Sequence, residues 1–152
     1  MTTCTVDVFD PTDLVAMAQC TAIDADAFPY ASSRFGVPGP RDRVWIARRD
    51  GRVEGFVAGR ISGDGLRVHG LAVAVSARGQ GVGRALVQTA VSSSYEEGLD
   101  SVRLNVWVGN TAAIALYESE GFSAARRLTG FYPAGAFDGP PDAFEMERDL
   151  GD

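Results

Sequence analysis

The chain has two cysteines, one histidine and no apolar run of membrane-spanning length in 152 residues. Cys4 and Cys20 are too few for a disulfide framework, and with His69 as the sole histidine they exclude His/Cys zinc clusters, so no metal is expected. The missing long apolar stretch excludes a membrane-spanning helix, and the opening MTTCTVDVFD lacks the basic and apolar regions of a signal peptide. No membrane association is therefore expected, and a reducing cytoplasm is the expected setting. Positive charge is also scarce. Fourteen Lys and Arg against 20 Asp and Glu give a formal charge of −6. That argues against a nucleic-acid partner, which needs a basic face, and it suits a cationic partner. What is present, 45% hydrophobic and 22% charged residues, fits a globular chain whose residues 1–152 form one domain with a core of its own.

Periodicity orders the chain into alternating elements. Thr3 to Phe9 alternates around Val6 and Val8 and is read as an edge-like strand. Pro11 suits a helix's opening turn with Asp10 as its cap, and Leu14, Met17, Ala18, Thr21, Ala25 and Phe28 recur at helical spacing. A Pro/Gly-rich stretch from Pro29 to Asp42 loses periodicity. Arg43 to Arg49 and Arg52 to Ile61 are strands joined by a hairpin turn at Asp50-Gly51, and Ser62 to Gly65 turns the chain into the next strand at Leu66. A helix follows Gly81 and ends near Gly98. In the strand Ser101 to Val108, Val102, Leu104, Val106 and Val108 share one face while Arg103, Asn105 and Trp107 share the other. Asn110-Thr111 caps a helix that Gly121 ends, and Phe122 to Leu128 and Ala143 to Leu150 are the last strands. The sum is an α+β fold on a mixed, mostly antiparallel sheet of about seven strands flanked by helices. A monomer and a homodimer both remain open, since an edge strand can pair or stay free.

The stretch Leu66–Leu86, LRVHGLAVAVSARGQGVGRAL, joins a β-branched strand to a glycine-rich turn and then a helix. A helix's first turn carries unpaired N–H groups and partial positive charge, and glycines let a ligand approach them, so the stretch is a phosphate cradle. A nucleoside-triphosphate loop needs Lys and then Ser or Thr after its last glycine, where Arg84-Ala85 stands. A dinucleotide fingerprint needs G-x-G-x-x-G, whereas Gly79, Gly81 and Gly83 fall two apart. A glycine-rich strand–helix connection with no ligand is the purely structural alternative. The spacing Arg78-x-x-Gly81-x-Gly83 resembles the pyrophosphate-binding signature of the GCN5-related N-acetyltransferases (GNAT). A second motif joins it in the expected order. Asn110, Leu116, Tyr117, Glu118, Gly121 and Phe122 resemble that family's Asn-capped helix ending in Leu-Tyr-(Glu)-x-x-Gly-Phe.

Within the superfamily, Ala27-Phe28-Pro29-Tyr30, Phe131-Tyr132-Pro133, Asp142-Ala143 and Met146 resemble elements of the ribosomal-protein alanine N-terminal acetyltransferases. One position departs from them. Asn105 stands where those enzymes carry Glu or His, and an amide accepts no proton at neutral pH. The run Val68-His69-Gly70-Leu71-Ala72-Val73 is instead similar to arylalkylamine acetyltransferases, in which a histidine four residues before the valine serves the amine.

The resemblance implies direct transfer of acetyl from acetyl-CoA to a primary amine, either a protein N-terminal α-amine or a small molecule. It implies a splay between the two middle strands. The backbone of Leu71, Ala72 and Val73 would then pair with pantetheine, and Arg78, Gly79, Gln80, Gly81, Val82, Gly83 and Arg84 would hold the pyrophosphate, with Asn110 and Tyr117 completing the coenzyme A site. Tyr117 would be the general acid to the thiolate and His69 the best base candidate, acting through a water. Phe28, Tyr30, Asn105, Trp107, Phe131 and Tyr132 would line the acceptor site, with Asp24, Asp26 and Glu54 as weaker candidates. Spacing alone favours a core aromatic at Tyr117 and a structural strand residue at His69; only the motif reverses this for Tyr117. The rival function is a non-catalytic acyl-CoA-binding module, which the missing base at Asn105 favours.

Overall fold

The computed structural model describes residues 4–29 and 37–151, so Tyr30 lies outside the described residues. Chain order is β1 (Thr5–Val8), α1 (Leu14–Ala27), β2 (Asp42–Arg49), β3 (Arg52–Ser62), β4 (Gly65–Val73), a single 3-10 turn (Val75–Ala77), α2 (Val82–Glu96), β5 (Ser101–Trp107), α3 (Thr111–Ser119), β6 (Ser123–Leu128) and β7 (Ala143–Asp149). The seven strands form one sheet in the order β1-β2-β3-β4-β5-β7-β6. All neighbours are antiparallel except β4 and β5, which run parallel. The α+β, mostly antiparallel expectation is met. Among the described residues no helix is long and apolar enough to cross a membrane.

The sheet buries both faces. Against one lie α2 and α3, where Val82, Leu86, Val87 and Ala90 meet Val57, Leu66, Val68, Val102 and Leu104. Against the other lies α1, where Ala16 and Cys20 meet Ile46, Phe56, Ala58 and Ala72. The β5 alternation is as read, with Val102, Leu104 and Val106 buried and Arg103, Asn105 and Trp107 on the opposite face.

Local expectations are corrected in two places, α1 and β4. Asp10 does not cap α1. It closes a turn by accepting from the Thr12 N–H and Oγ1 at 2.9 and 2.6 Å, and Asp13 is the N-cap, accepting from the Ala16 N–H at 3.0 Å. The buried stripe of α1 is Ala16, Cys20 and Asp24 flanked by Met17, Ile23 and Ala27, whereas Leu14 and Val15 are exposed. Apolar residues surround this helix, so its period selects no face. The small Ala16 and Cys20 set it by letting the helix approach the sheet closely.

The second correction lies in β4. Ala58 pairs with Gly70 but Gly59 pairs with Val68, so His69 is an extra residue in a β-bulge. Val68 before it and Leu71 and Val73 after it all pack toward α2, and Ala72 packs toward α1. The alternation slips by one residue. The parity that grouped His69 with Leu71 and Val73 therefore does not hold across the bulge, and His69 is exposed.

Candidate active site

The bulge marks where the sheet opens. β4 pairs with β5 only from Gly65 to Val68, opposite Ser101 to Leu104. Past that point β4 stays with β3 as far as Val73, and β5 stays with β7 as far as Trp107. Gly70 to Val73 and Asn105 to Trp107 thus face each other across an unpaired gap, the splay expected between the middle strands. A cleft of about 560 Å³ fills it, a size suited to a small ligand. Val68, Leu104, Val106 and Tyr117 line it from the α2 side. Arg67, Asn105, Trp107, Phe131, Tyr132 and Phe137 line it from the other, with His69, Gly70, Leu71, Phe28 and Asn110 at its walls.

On the α2 side the glycine loop has two distinct requirements. Gly79 and Gly81 have φ of +74° and +85°, with open space where a Cβ would stand, so backbone conformation alone demands glycine there. Gly83 is different. Its φ is ordinary, and a Cβ would make only normal contact with Leu116 and Val73 at 3.5 and 3.8 Å. Neither backbone conformation nor packing therefore requires a glycine there. The first helical bond runs from the Ala85 N–H to the Gly81 carbonyl, so the preceding N–H groups point out of the helix end unpaired. Gln80 is tied to Arg49 at 2.6 Å, and the Arg78 Nε donates to the Val73 carbonyl at 3.3 Å. The Arg84 side chain turns away to Ser119 and Glu120.

Tyr117 sits in α3, capped by Asn110, whose side chain accepts from the Ala113 N–H at 3.2 Å. The ring is 7% exposed and packs 5.9 Å from Phe122, centroid to centroid, yet it also lines the cleft. The core and site readings of Tyr117 are therefore compatible. Burial pushes its hydroxyl up to about 12, so it stays protonated through the physiological range. Neither cysteine lines the cleft, and burial raises the Cys20 thiol to about 12 as well. Asn105 Oδ1 is buried with no hydrogen-bond partner among the described residues, an acceptor in want of a donor. Asp24, Asp26 and Glu54 stand outside the cleft lining, with Glu54 3.6 Å from Arg49 and Asp26 4.0 Å from Arg78.

The far wall is an ordered loop between β6 and β7. Trp107 stacks on Phe137 at 4.4 Å and donates from Nε1 to the Pro140 carbonyl at 2.8 Å. Tyr132 meets Phe137 and Phe131 edge-on, each at 4.9 Å. Asp142 pins the loop base, accepting from the Gly130 N–H at 2.9 Å and from Arg127 at 2.8 and 3.0 Å. These partners, the Gly130 N–H foremost, hold its carboxyl below the usual carboxylate range, so the clasp is complete at neutral pH and opens only in acid. Asp142→Ala is expected to speed amide hydrogen exchange across residues 129–141 at least tenfold, with α2 unchanged; unchanged loop exchange would show that the aromatics alone hold the wall.

The strand gap and the capped tyrosine helix thus share one cleft, and Gly83 of the glycine loop stands beside the end of β4 and the tyrosine helix. A model of the acetyltransferase (GNAT) family matches residues 10–122. The chain belongs to the GNAT family. Among its relatives, the [ribosomal protein bS18]-alanine N-acetyltransferase of Escherichia coli K12 is 32% identical over 143 residues, covering 93% of this chain and 95% of the relative. The crystal structure of the ribosomal-protein-S18-alanine N-acetyltransferase from Escherichia coli superposes with a TM-score of 0.82 at 25% identity, covering 99% and 96% of the two chains. That of a nourseothricin acetyltransferase gives 0.76 at 26% identity over 97% and 98%. The chain is accordingly an N-acetyltransferase of a family that uses acetyl-CoA as cosubstrate. Arg67 in the lining of this GNAT cleft, and Glu145, which holds it from outside the lining, carry no motif signal. Only the register of three strands brings them together.

Proposed function

We propose that this GNAT protein transfers acetyl from acetyl-CoA to the α-amine of a peptide or protein N-terminus. The observation that carries the reading is the β4–β5 gap, whose cleft brings Tyr117 and an aromatic pocket together, with Gly83 at the start of α2 beside the end of β4 and the Tyr117 helix. The full-length similarity to an alanine N-terminal acetyltransferase supports this acceptor class, and a ribosomal-protein acceptor would place the reaction in the cytoplasm.

In this reading Gly79 to Arg84 offer backbone N–H groups to the pyrophosphate, with Arg78 adding charge. Leu71 to Val73 offer to the pantetheine the backbone edge that β5 has left, and one of their N–H groups stabilises the thioester oxyanion. Asn105 takes a hydrogen bond from the incoming amine through its unpartnered Oδ1, while Phe28, Trp107, Phe131 and Tyr132 surround the acceptor. As the new C–N bond forms and the C–S bond breaks, the nitrogen gives up one proton to the water at His69, and Tyr117 donates its hydroxyl hydrogen to the departing sulfur and is reprotonated from solvent. A free thiol near 8.5 is more acidic than this phenol, so full proton transfer in water would run uphill. The desolvation that raises Tyr117 raises a thiolate held beside it too, which narrows the gap.

The amine must arrive neutral. At pH 7.5 an α-amine near 7.7–8.0 is roughly a third neutral, against about one part in a thousand for a lysine near 10.4. An α-amine therefore needs only a water relayed by His69. Incubation with labelled acetyl-CoA and an alanine-initiated peptide tests the reading: N-terminal acetylation is expected. Acetyl-CoA binding with no transfer to any amine favours the acyl-CoA-binding module, the reading that Asn105 keeps alive.

A further inference from the structure

The chain carries −6 overall, yet none of the described residues lining the cleft is Asp or Glu, and the one fixed charge among them is Arg67. Arg67 lies one residue before the last β4–β5 pair, at the mouth of the gap. Its Nη2 donates to Glu145 Oε2 at 2.9 Å. Glu145 is on β7 directly opposite Asn105, is largely buried, and also meets Arg126 at 3.4 Å. Its carboxyl is held below the usual range, chiefly by the Arg67 hydrogen bond. One carboxylate between two guanidiniums leaves the cluster with a net positive charge. Arg67 is 39% exposed, and among the described residues its Nε and Nη1 have no protein acceptor. It is an anchored fork with donors to spare.

We propose that Arg67, positioned by Glu145, is the acceptor-recognition residue of this site: its spare N–H groups bind the oxygen on the carbon next to the one bearing the reacting amine. The substrate class is then the α-amino carbonyl unit, found at a peptide N-terminus and in a free amino acid, in preference to plain alkylamines and lysine side chains. The assignment rests on the acetyltransferase reading above. It also bears on the missing base. A fixed positive charge near the amine disfavours its ammonium form, so the cluster lowers the need for a carboxylate at the position of Asn105.

The test compares kcat/KM for an alanine-initiated peptide amide, free alanine and isopropylamine at equal concentrations of neutral amine. Isopropylamine is the alanine skeleton without its carbonyl. The parent protein is expected to prefer a carbonyl-bearing acceptor at least tenfold, whichever of the two ranks first naming the natural source. Arg67→Gln is expected to cost that acceptor about tenfold or more, mainly in KM, with isopropylamine within about twofold and acetyl-CoA affinity unchanged. Arg67→Lys restores part of the loss, and Glu145→Gln shows a smaller loss of the same kind. Equal losses for all acceptors, or none, overturn the assignment while leaving the acetyltransferase reading intact. No acetyl transfer by the parent protein overturns both.

Discussion

Replacing Tyr117 with Phe is expected to lower kcat by two to three orders of magnitude while leaving acetyl-CoA affinity within about twofold. The substitution removes one oxygen from a ring already packed in the core beside Phe122, so the fold has no cavity to absorb. What is lost is the hydroxyl of a residue that lines the cleft. Because burial holds its ionisation near 12, the group remains a donor at every pH at which the protein is assayed. The parent rate should then show no fall from tyrosine ionisation below about pH 11. The same shift makes folding less favourable above the unfolded value near 10, because the native state alone keeps the proton, and the loss grows until the pH passes about 12. Tyr117→Phe removes that alkaline sensitivity. A variant that keeps the full rate would show that solvent protonates the leaving sulfur and that Tyr117 is a core residue only.

Gly83→Ala is expected to weaken acetyl-CoA binding about ten- to a hundredfold in a protein at least as stable as its parent. The added methyl has room, with Leu116 and Val73 at ordinary contact distance, and alanine in the first turn of α2 favours the helix by up to about 1 kcal/mol. The methyl lies on the side of α2 that faces the end of β4 and the Tyr117 helix. A phosphate or pantetheine drawn to those N–H groups meets it. Losing one or two charge-assisted hydrogen bonds accounts for the stated range. Gly81→Ala provides the contrast: at φ +85° it strains the backbone and costs about 1–2 kcal/mol of stability. Calorimetry with acetyl-CoA alongside thermal melting separates the two. Tight binding by Gly83→Ala would remove the loop from the coenzyme site.

The elements proposed for the donor half were legible because their local structure is short-range. A glycine at a positive φ, a helix terminus and an Asn cap each need particular residues at fixed short spacing. So the Arg78–Gly83 loop and the Asn110–Phe122 helix could be read directly from the chain. The strand face through Val102, Leu104 and Val106 was legible for the same reason. The acceptor half depends on register. The bulge at His69 adds one residue to a strand without breaking its apolar pattern, and no local signal reports it. Arg67 and Glu145 lie 78 residues apart in sequence and meet only because β4, β5 and β7 are neighbours in the sheet. The face of α1 failed for a third reason. A helix apolar on all sides leaves the choice to the shape of the sheet beneath it.

The most direct test gives the protein acetyl-CoA and a peptide carrying both an alanine α-amine and an internal lysine, and locates the product acetyl group by fragment mass spectrometry. The account predicts acetyl on the α-amine alone in the parent protein and almost none with Tyr117→Phe. Acetyl on the lysine, or tight acetyl-CoA binding with both amines untouched, would contradict it.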